Sequence, residues 1–227
     1  MPKNRISIET GNKWVFASAV DWPGWCRKGR SEIAALTALL ESAPHYQDLL
    51  TDTGIDFQPP QDIQHLVVIE RIQGSSTTDF GAPDASLLSD SEPVSSQELD
   101  RWLGILSACW KAFDAAVQNS TGKELRKGPR GGGRDLDQIT QHVLEGDQAY
   151  LRRLAWKYSH DAESDLAAEM EHIRQQITLA LENACSGNLP ESGPRGGKIW
   201  TPRFFIRRVA WHVLDHAWEI EDRTIAD

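Results

Sequence analysis

Three histidines stand where they could hold one metal ion. In the stretch 200–223, WTPRFFIRRVAWHVLDHAWEIEDR, Phe205, Val209, His212, His216 and Ile220 recur at spacings of four, three, four and four. That is one face of a 3.6-residue period, so the stretch predicts an amphipathic helix with both histidines on its core stripe. Side chains four apart leave the same helix face with roughly 5–6 Å between Cβ atoms. Two imidazoles at that distance can share an ion whose bonds to nitrogen are about 2.0–2.1 Å. A second segment supplies a third. QITQHVLEGDQAY at 138–150 aligns with RVAWHVLDHAWEI at 208–220 when His142 is set on His212, matching the Val, the Leu and an acidic residue; Gly146 then falls where His216 stands. Both copies follow a similar loop, GPRGG at 128–132 and at 193–197. The chain thus reads as an internal repeat of Gly-rich loop and helix. The candidate metal ligands are His142, His212 and His216.

Three protein ligands leave a coordination position for water or substrate, as in catalytic rather than closed structural zinc sites. A metal so held lowers the pKa of bound water, or binds and deprotonates a thiol. The nearest carboxylates in sequence are Glu145, three beyond His142, Asp215 between the two later histidines, and Glu219, three beyond His216. Each is a candidate to orient a ligand or to act as acid or base; the bland alternative for each is a solvated helix carboxylate. The alternative for the histidines is a set of buried imidazoles satisfied by hydrogen bonds. The GPRGG loops offer backbone N–H groups with Arg130 or Arg195 for an anion, or are simple connections that need glycine dihedrals. Trp211 and Trp218 flank the histidines and are candidate pocket walls. His45, His65, His160 and His172 read as surface residues.

These residues have to be positioned by helices. Ser95 and Glu98 form a capping box for a first helix to about Asn119, with Leu99, Leu103, Leu106, Trp110, Phe113 and Val117 on its stripe. A second helix is expected from about Asp135 to Tyr158, a third from near Asp161 to a stop at Gly187, and a fourth with Pro202 in its first turn. Four helices with one apolar stripe each predict a four-helix bundle over 95–227. Residues 1–73 read differently. Strands are expected within 5–26 and over 65–72, with a helix from about Ser31 to Ser42 that Pro44 ends and a further helical turn within 45–51. This small α/β unit is expected to carry its own core. Residues 74–94, rich in Ser, Asp, Gly and Pro, read as a linker or surface loop. The fold class is therefore α+β.

The chain has 227 residues, 33 of them acidic and 24 basic, for a net charge of −9. That balance argues against a general nucleic-acid binder. Cys26, Cys109 and Cys185 are far apart and odd in number, so no disulfide framework and a cytoplasmic setting are expected. MPKNRISIE has no apolar run of a signal peptide, and no segment reaches the 18 or so apolar residues of a membrane span.

One histidine on the second helix with H-x-x-x-H on the fourth resembles the DinB-like superfamily of metalloenzymes, over residues 95–227. The resemblance implies a divalent metal, zinc or nickel, held in the bundle core by His142, His212 and His216. It also implies a small-molecule substrate and, in some relatives, a low-molecular-weight thiol used by a transferase or isomerase. The strand–strand–helix–strand order with a Pro-Gly turn in residues 1–73 is similar to a HicB-like domain, and this implies a fold only. The function expected is that of a metal-dependent hydrolase or thiol S-transferase. The alternative is a non-catalytic metal- or ligand-binding module, in which the bundle mediates sensing or assembly as a homodimer.

Overall fold

The computed structural model describes residues 3–127, 133–159, 165–193 and 197–225. Its architecture is α+β, a four-stranded sheet followed by helices. Strand β1 (Asn4–Thr10) lies between β2 (Val15–Ala19), its antiparallel partner, and β4 (Leu66–Gln73), which runs parallel to it. Beyond β2 lies a strand that the sequence reading lacks, β3 (Cys26–Gly29). CRKG shows no alternation of apolar and polar residues. It is a strand because the turn at Trp22–Trp25, with Gly24 at φ 91°, folds it back so that Cys26 pairs with Ser18 and Gly29 with Val15.

Helix α1 (Glu32–Glu41), capped by the Ser31 hydroxyl, covers the sheet through Ala35, Leu36 and Leu39, while Ile33 is exposed. Gly29 allows this approach, since a Cβ there would sit 2.4 Å from the backbone nitrogen of Ala35. Pro44 does more than end α1. It sits in the first turn of α2 (Ala43–Leu49), where its missing N–H costs nothing.

The polar segment 74–94 is held closely to its neighbours. It contains α3 (Ser76–Phe80) and a 3₁₀ turn at Leu88–Ser91. The buried Glu9 carboxylate of β1 accepts the Thr78 hydroxyl and the N–H groups of Asp84 and Ala85, the last at 2.9 Å. Buried Asp90 takes the Arg207 guanidinium at 2.8 Å. The segment therefore ties the sheet to the last helix through charge-assisted hydrogen bonds.

Four long helices follow: α4 (Ser96–Ser120), α5 (Leu136–Leu151), α6 (Leu166–Cys185) and α7 (Pro202–Arg223). The capping box of Ser95 and Glu98 begins α4, and Asp135, Asp165 and Thr201 cap the others. Helix α5 stops seven residues before the expected Tyr158. A 3₁₀ turn at Arg152–Leu154 leads to Ala155 in the left-handed region (φ 53°), and the Trp156 N–H closes back on the Leu151 carbonyl. The expected start of α6 at Asp161, and Arg130 and Arg195 of the two GPRGG loops, lie outside the described residues. Helix α7 is buried along most of its length and packs on α4, α5 and α6. Most buried side chains form one connected cluster, from Ile6 and Trp25 through Trp102 and Ile105 to Val209 and Ile220, and Phe16, Cys26 and Trp211 form a second, small one. Among the described residues no helix is long and apolar enough to cross a membrane.

Candidate metal centre

Helix α5 contributes His142, and α7 contributes His212 and His216. One ligand nitrogen from each lies within 4.8 Å of the other two. The Nε2 atoms of His142 and His212 are 3.4 Å apart. That exceeds the usual hydrogen-bond length of about 2.7–3.2 Å. It matches the ~3.3 Å edge of a tetrahedron built from nitrogen–metal bonds of about 2.05 Å. The three rings stand nearly perpendicular to one another, with centroids 4.8 to 5.1 Å apart.

Each ring is positioned by different means. His216 Nδ1 lies 2.8 Å from Glu219 Oε2, and the other Glu219 oxygen accepts from Arg223 at 2.6 Å. Arg223 in turn donates to the backbone carbonyls of Arg126 and Arg134. The carboxylate assigns the proton to Nδ1 and leaves Nε2 for the cluster, the usual carboxylate–histidine support of a metal ligand. The hydrogen bond from His216, reinforced by Arg223, pulls the Glu219 carboxyl down to about 2. His212 has no such support. Its Nδ1 is buried without a hydrogen-bond partner among the described residues. Packing holds this ring instead, between the edge of Tyr150, at 5.4 Å, and the bare Cα of Gly146. A Cβ at Gly146 would come within 2.4 Å of His212 Cε1. In the internal repeat, α5 thus has a glycine where α7 has its second histidine, and that gap is the space the His212 ring fills.

Burial sets the charge state. His212 is 5 % exposed, and desolvation, followed by the neighbouring His216 and His142, pushes its pKa well below the ordinary imidazole range. His142 is shifted down as well, first by burial and then by Arg134. Both rings are therefore neutral and competent as ligands at neutral pH. His142 is the open side of the cluster: it lines a shallow depression with Arg134, Gln138, Gln141 and Glu145.

The candidate carboxylates separate by position. Glu219 touches a histidine. Glu145, which accepts from Gln141 at 3.1 Å, stands on the rim of the depression beside His142. Asp215 turns toward Arg27 of β3 at 3.9 Å. With Trp211 and Trp218 it lines a groove that Glu219 and Arg223 also border. The Cys26 thiol accepts from Ser18 at 2.9 Å and burial pushes it up to about 12; Cys109 is likewise held at about 12 and Cys185 at about 11, so all three stay protonated. His45 stacks on Trp218 and pairs with Glu221, His65 pairs with Asp62, and His172 is exposed beside Tyr158; none of them is near the cluster. His160 lies outside the described residues. The sequence reading lacked roles for Gly146, Tyr150 and Arg223. Gly146 stands in the repeat as the mismatch to His216, Tyr150 ends the aligned segment 138–150, and Arg223 ends the stretch 200–223. No protein-family model, curated protein or solved structure matches this chain at a significant level.

Proposed function

We propose that His142, His212 and His216 hold one divalent ion, zinc or nickel, and that the chain is a metal-dependent enzyme of the DinB-like kind, a hydrolase or thiol-dependent S-transferase acting on a small molecule. The observation that carries this is the 3.4 Å separation of two neutral imidazole nitrogens on facing helices, too long for a good hydrogen bond and right for a shared ion. A bound ion would supply Lewis acidity toward water, a carbonyl or a thiol sulfur. The chain's own groups have distinct tasks. Glu219, clamped by Arg223, keeps the proton on His216 Nδ1 and fixes the ring. Glu145, on the rim beside His142, is the carboxylate free to take a proton from a group entering the depression. The resemblance of residues 95–227 to DinB-like bundles supports the same ligand set.

Metal analysis of untagged protein, followed by zinc and nickel titration of the stripped chain, tests the proposal. Wild type should bind one ion per chain and melt at a higher temperature with it, because the ion binds only the folded state. His142→Ala should lose both effects and keep its fold. Equal and negligible melting shifts in the two proteins would sink the metal centre. One tightly bound ion with no exchangeable water would instead mark it as structural.

A further inference from the structure

Tyr150, whose ring meets His212, also lines an open cleft of about 690 Å³. The cleft forms where the 3₁₀ end of α5 meets the segment leading into α7. Five cations line it, Arg152, Arg153, Lys157, Lys198 and Arg208, against a single carboxylate, Asp84. In a chain with 33 acidic and 24 basic residues that is a local inversion of charge. Elsewhere four helix arginines are neutralised: Arg174 by Asp114, Arg203 by Glu98, Arg207 by Asp90 and Arg223 by Glu219. Arg152, Arg153, Lys157 and Lys198 are exposed and have no carboxylate partner among the described residues. Like charges gathered without counter-charges raise one another's free energy, and an anion relieves that.

Three aromatic rings, Tyr150, Trp156 and Trp200, share the wall with small residues and are held in place. Trp156 donates its indole N–H to Gln176 at 2.9 Å. The backbone N–H of Trp200 bonds the Arg153 carbonyl at 2.9 Å, and its ring lies 5.4 Å from Tyr150, with the Arg153 guanidinium 5.6 Å above it. Arg208 closes the inner end. It donates to the Pro83 carbonyl and lies over the rings of Tyr150 and Trp211, while its Nε is buried with no partner among the described residues. Fixed ring faces next to unpaired cations recognise one kind of molecule, since the rings stack on a planar body and the cations take an oxyanion.

We infer that this cleft binds a small molecule carrying a phosphate or carboxylate on a planar ring. Tyr150 touches both the cleft and His212, so on the reading of the histidines given above the ligand is the enzyme's substrate. Its binding to the cleft does not itself require the ion. Tryptophan fluorescence and calorimetric titrations of the full chain test this, stripped and zinc-loaded, with AMP as the phosphate probe and indole-3-acetate as the carboxylate probe. Adenosine and indole-3-acetamide are the neutral counterparts. At least one anion should saturate at one site, at least about tenfold tighter than its neutral counterpart, and weaken with added salt. The pair Arg153→Ser/Lys198→Ser should weaken it about tenfold or more, whereas the exposed control pair Lys111→Ser/Lys123→Ser should not. No saturable binding below about 10 mM, equal binding of charged and neutral probes, or equal loss in the control pair would overturn the inference. Stripped and zinc-loaded wild type separate the two readings. Anion binding by a wild type that takes up no zinc leaves the cleft standing and removes the metal centre; zinc binding without anion binding does the reverse.

Discussion

Replacing Gly146 by Ala adds one methyl group to α5, and its consequence for α7 can be worked out from distances. The new Cβ would sit 2.4 Å from His212 Cε1, where ordinary contact begins near 3.4 Å, so the ring must retreat by about 1 Å. Metal ligation tolerates deviations of only about 0.2 Å. His212 then ceases to be a ligand, and zinc affinity should fall by at least the 10–100-fold seen when ligand support is lost. At zinc 100 times the wild-type Kd the ion stabilises the fold by ~2.7 kcal/mol; a hundredfold weaker site leaves about 0.4 kcal/mol. The metal-free protein should lose much less. Overpacking costs about 1–3 kcal/mol, and replacing a mid-helix glycine with alanine returns about 1 kcal/mol. Chelator-competition titration gives the affinity, and urea unfolding with and without zinc gives the two stabilities. A cycle with His212→Ala isolates the cause, because the methyl group should be harmless once the imidazole is gone. If Gly146→Ala binds zinc like wild type, or if its metal-free destabilisation persists beside His212→Ala, the packing of His212 against Gly146 is not what positions that ring.

The remaining expectations are more local. Glu219→Gln keeps the shape but weakens the hold on the His216 Nδ1 proton, so zinc affinity should drop 10–100-fold with secondary structure unchanged; an unaltered affinity would show that Glu219 does not support the ligand. Burial pushes the Asp147 carboxyl up to about 8, with neither oxygen hydrogen-bonded among the described residues. Its folded pKa lies above the unfolded value of about 3.9, so the native state binds the extra proton between roughly pH 4 and 8, and stability falls as pH rises through that window. Asp147→Asn should abolish that part of the decline; parallel urea midpoints at pH 5 and pH 8 in both proteins would count against it. Cys26→Ser should bind zinc like wild type, because the thiol, on β3, is buried against Ser18 of β2; metal loss in that protein would contradict the assignment of ligands.

The helices were legible because their signals are local. The signals for each helix (Ser95 with Glu98, Asp135, Pro202, the stripe through His212 and His216) lie within a few residues of chain, and helix geometry does the rest. The clustering of His142, His212 and His216 was legible for the same reason, helped by the repeat. Features set by distant partners were not. CRKG becomes β3 only by pairing with β2. The residues 74–94 look like a linker until the buried Glu9 and the paired Asp90 draw them in. Helix α5 stops at Leu151 because Ala155 turns left-handed and Trp156 closes the end, and nothing in LRRLAWKY announces that. The basic cleft is assembled from 152–157 and 198–208, segments that look like ordinary charged surface when read apart. Asp215, adjacent to His216 in sequence, faces β3 because one residue along a helix is about 100° of rotation.

His142 and His212 are 70 positions apart in the chain, with α6 between them. The nitrogens that would share an ion do not meet until α5 and α7 have docked, a non-local closure whose entropic cost comes before the contacts that offset it. Such an ion would act on the clock rather than on the pathway. It would leave the folding rate nearly unchanged and lengthen the lifetime of the native state, since contacts absent from the transition state slow unfolding alone. In a cell that is protection against proteases at high metal supply and accelerated turnover at low supply, with the folded structure the same in both.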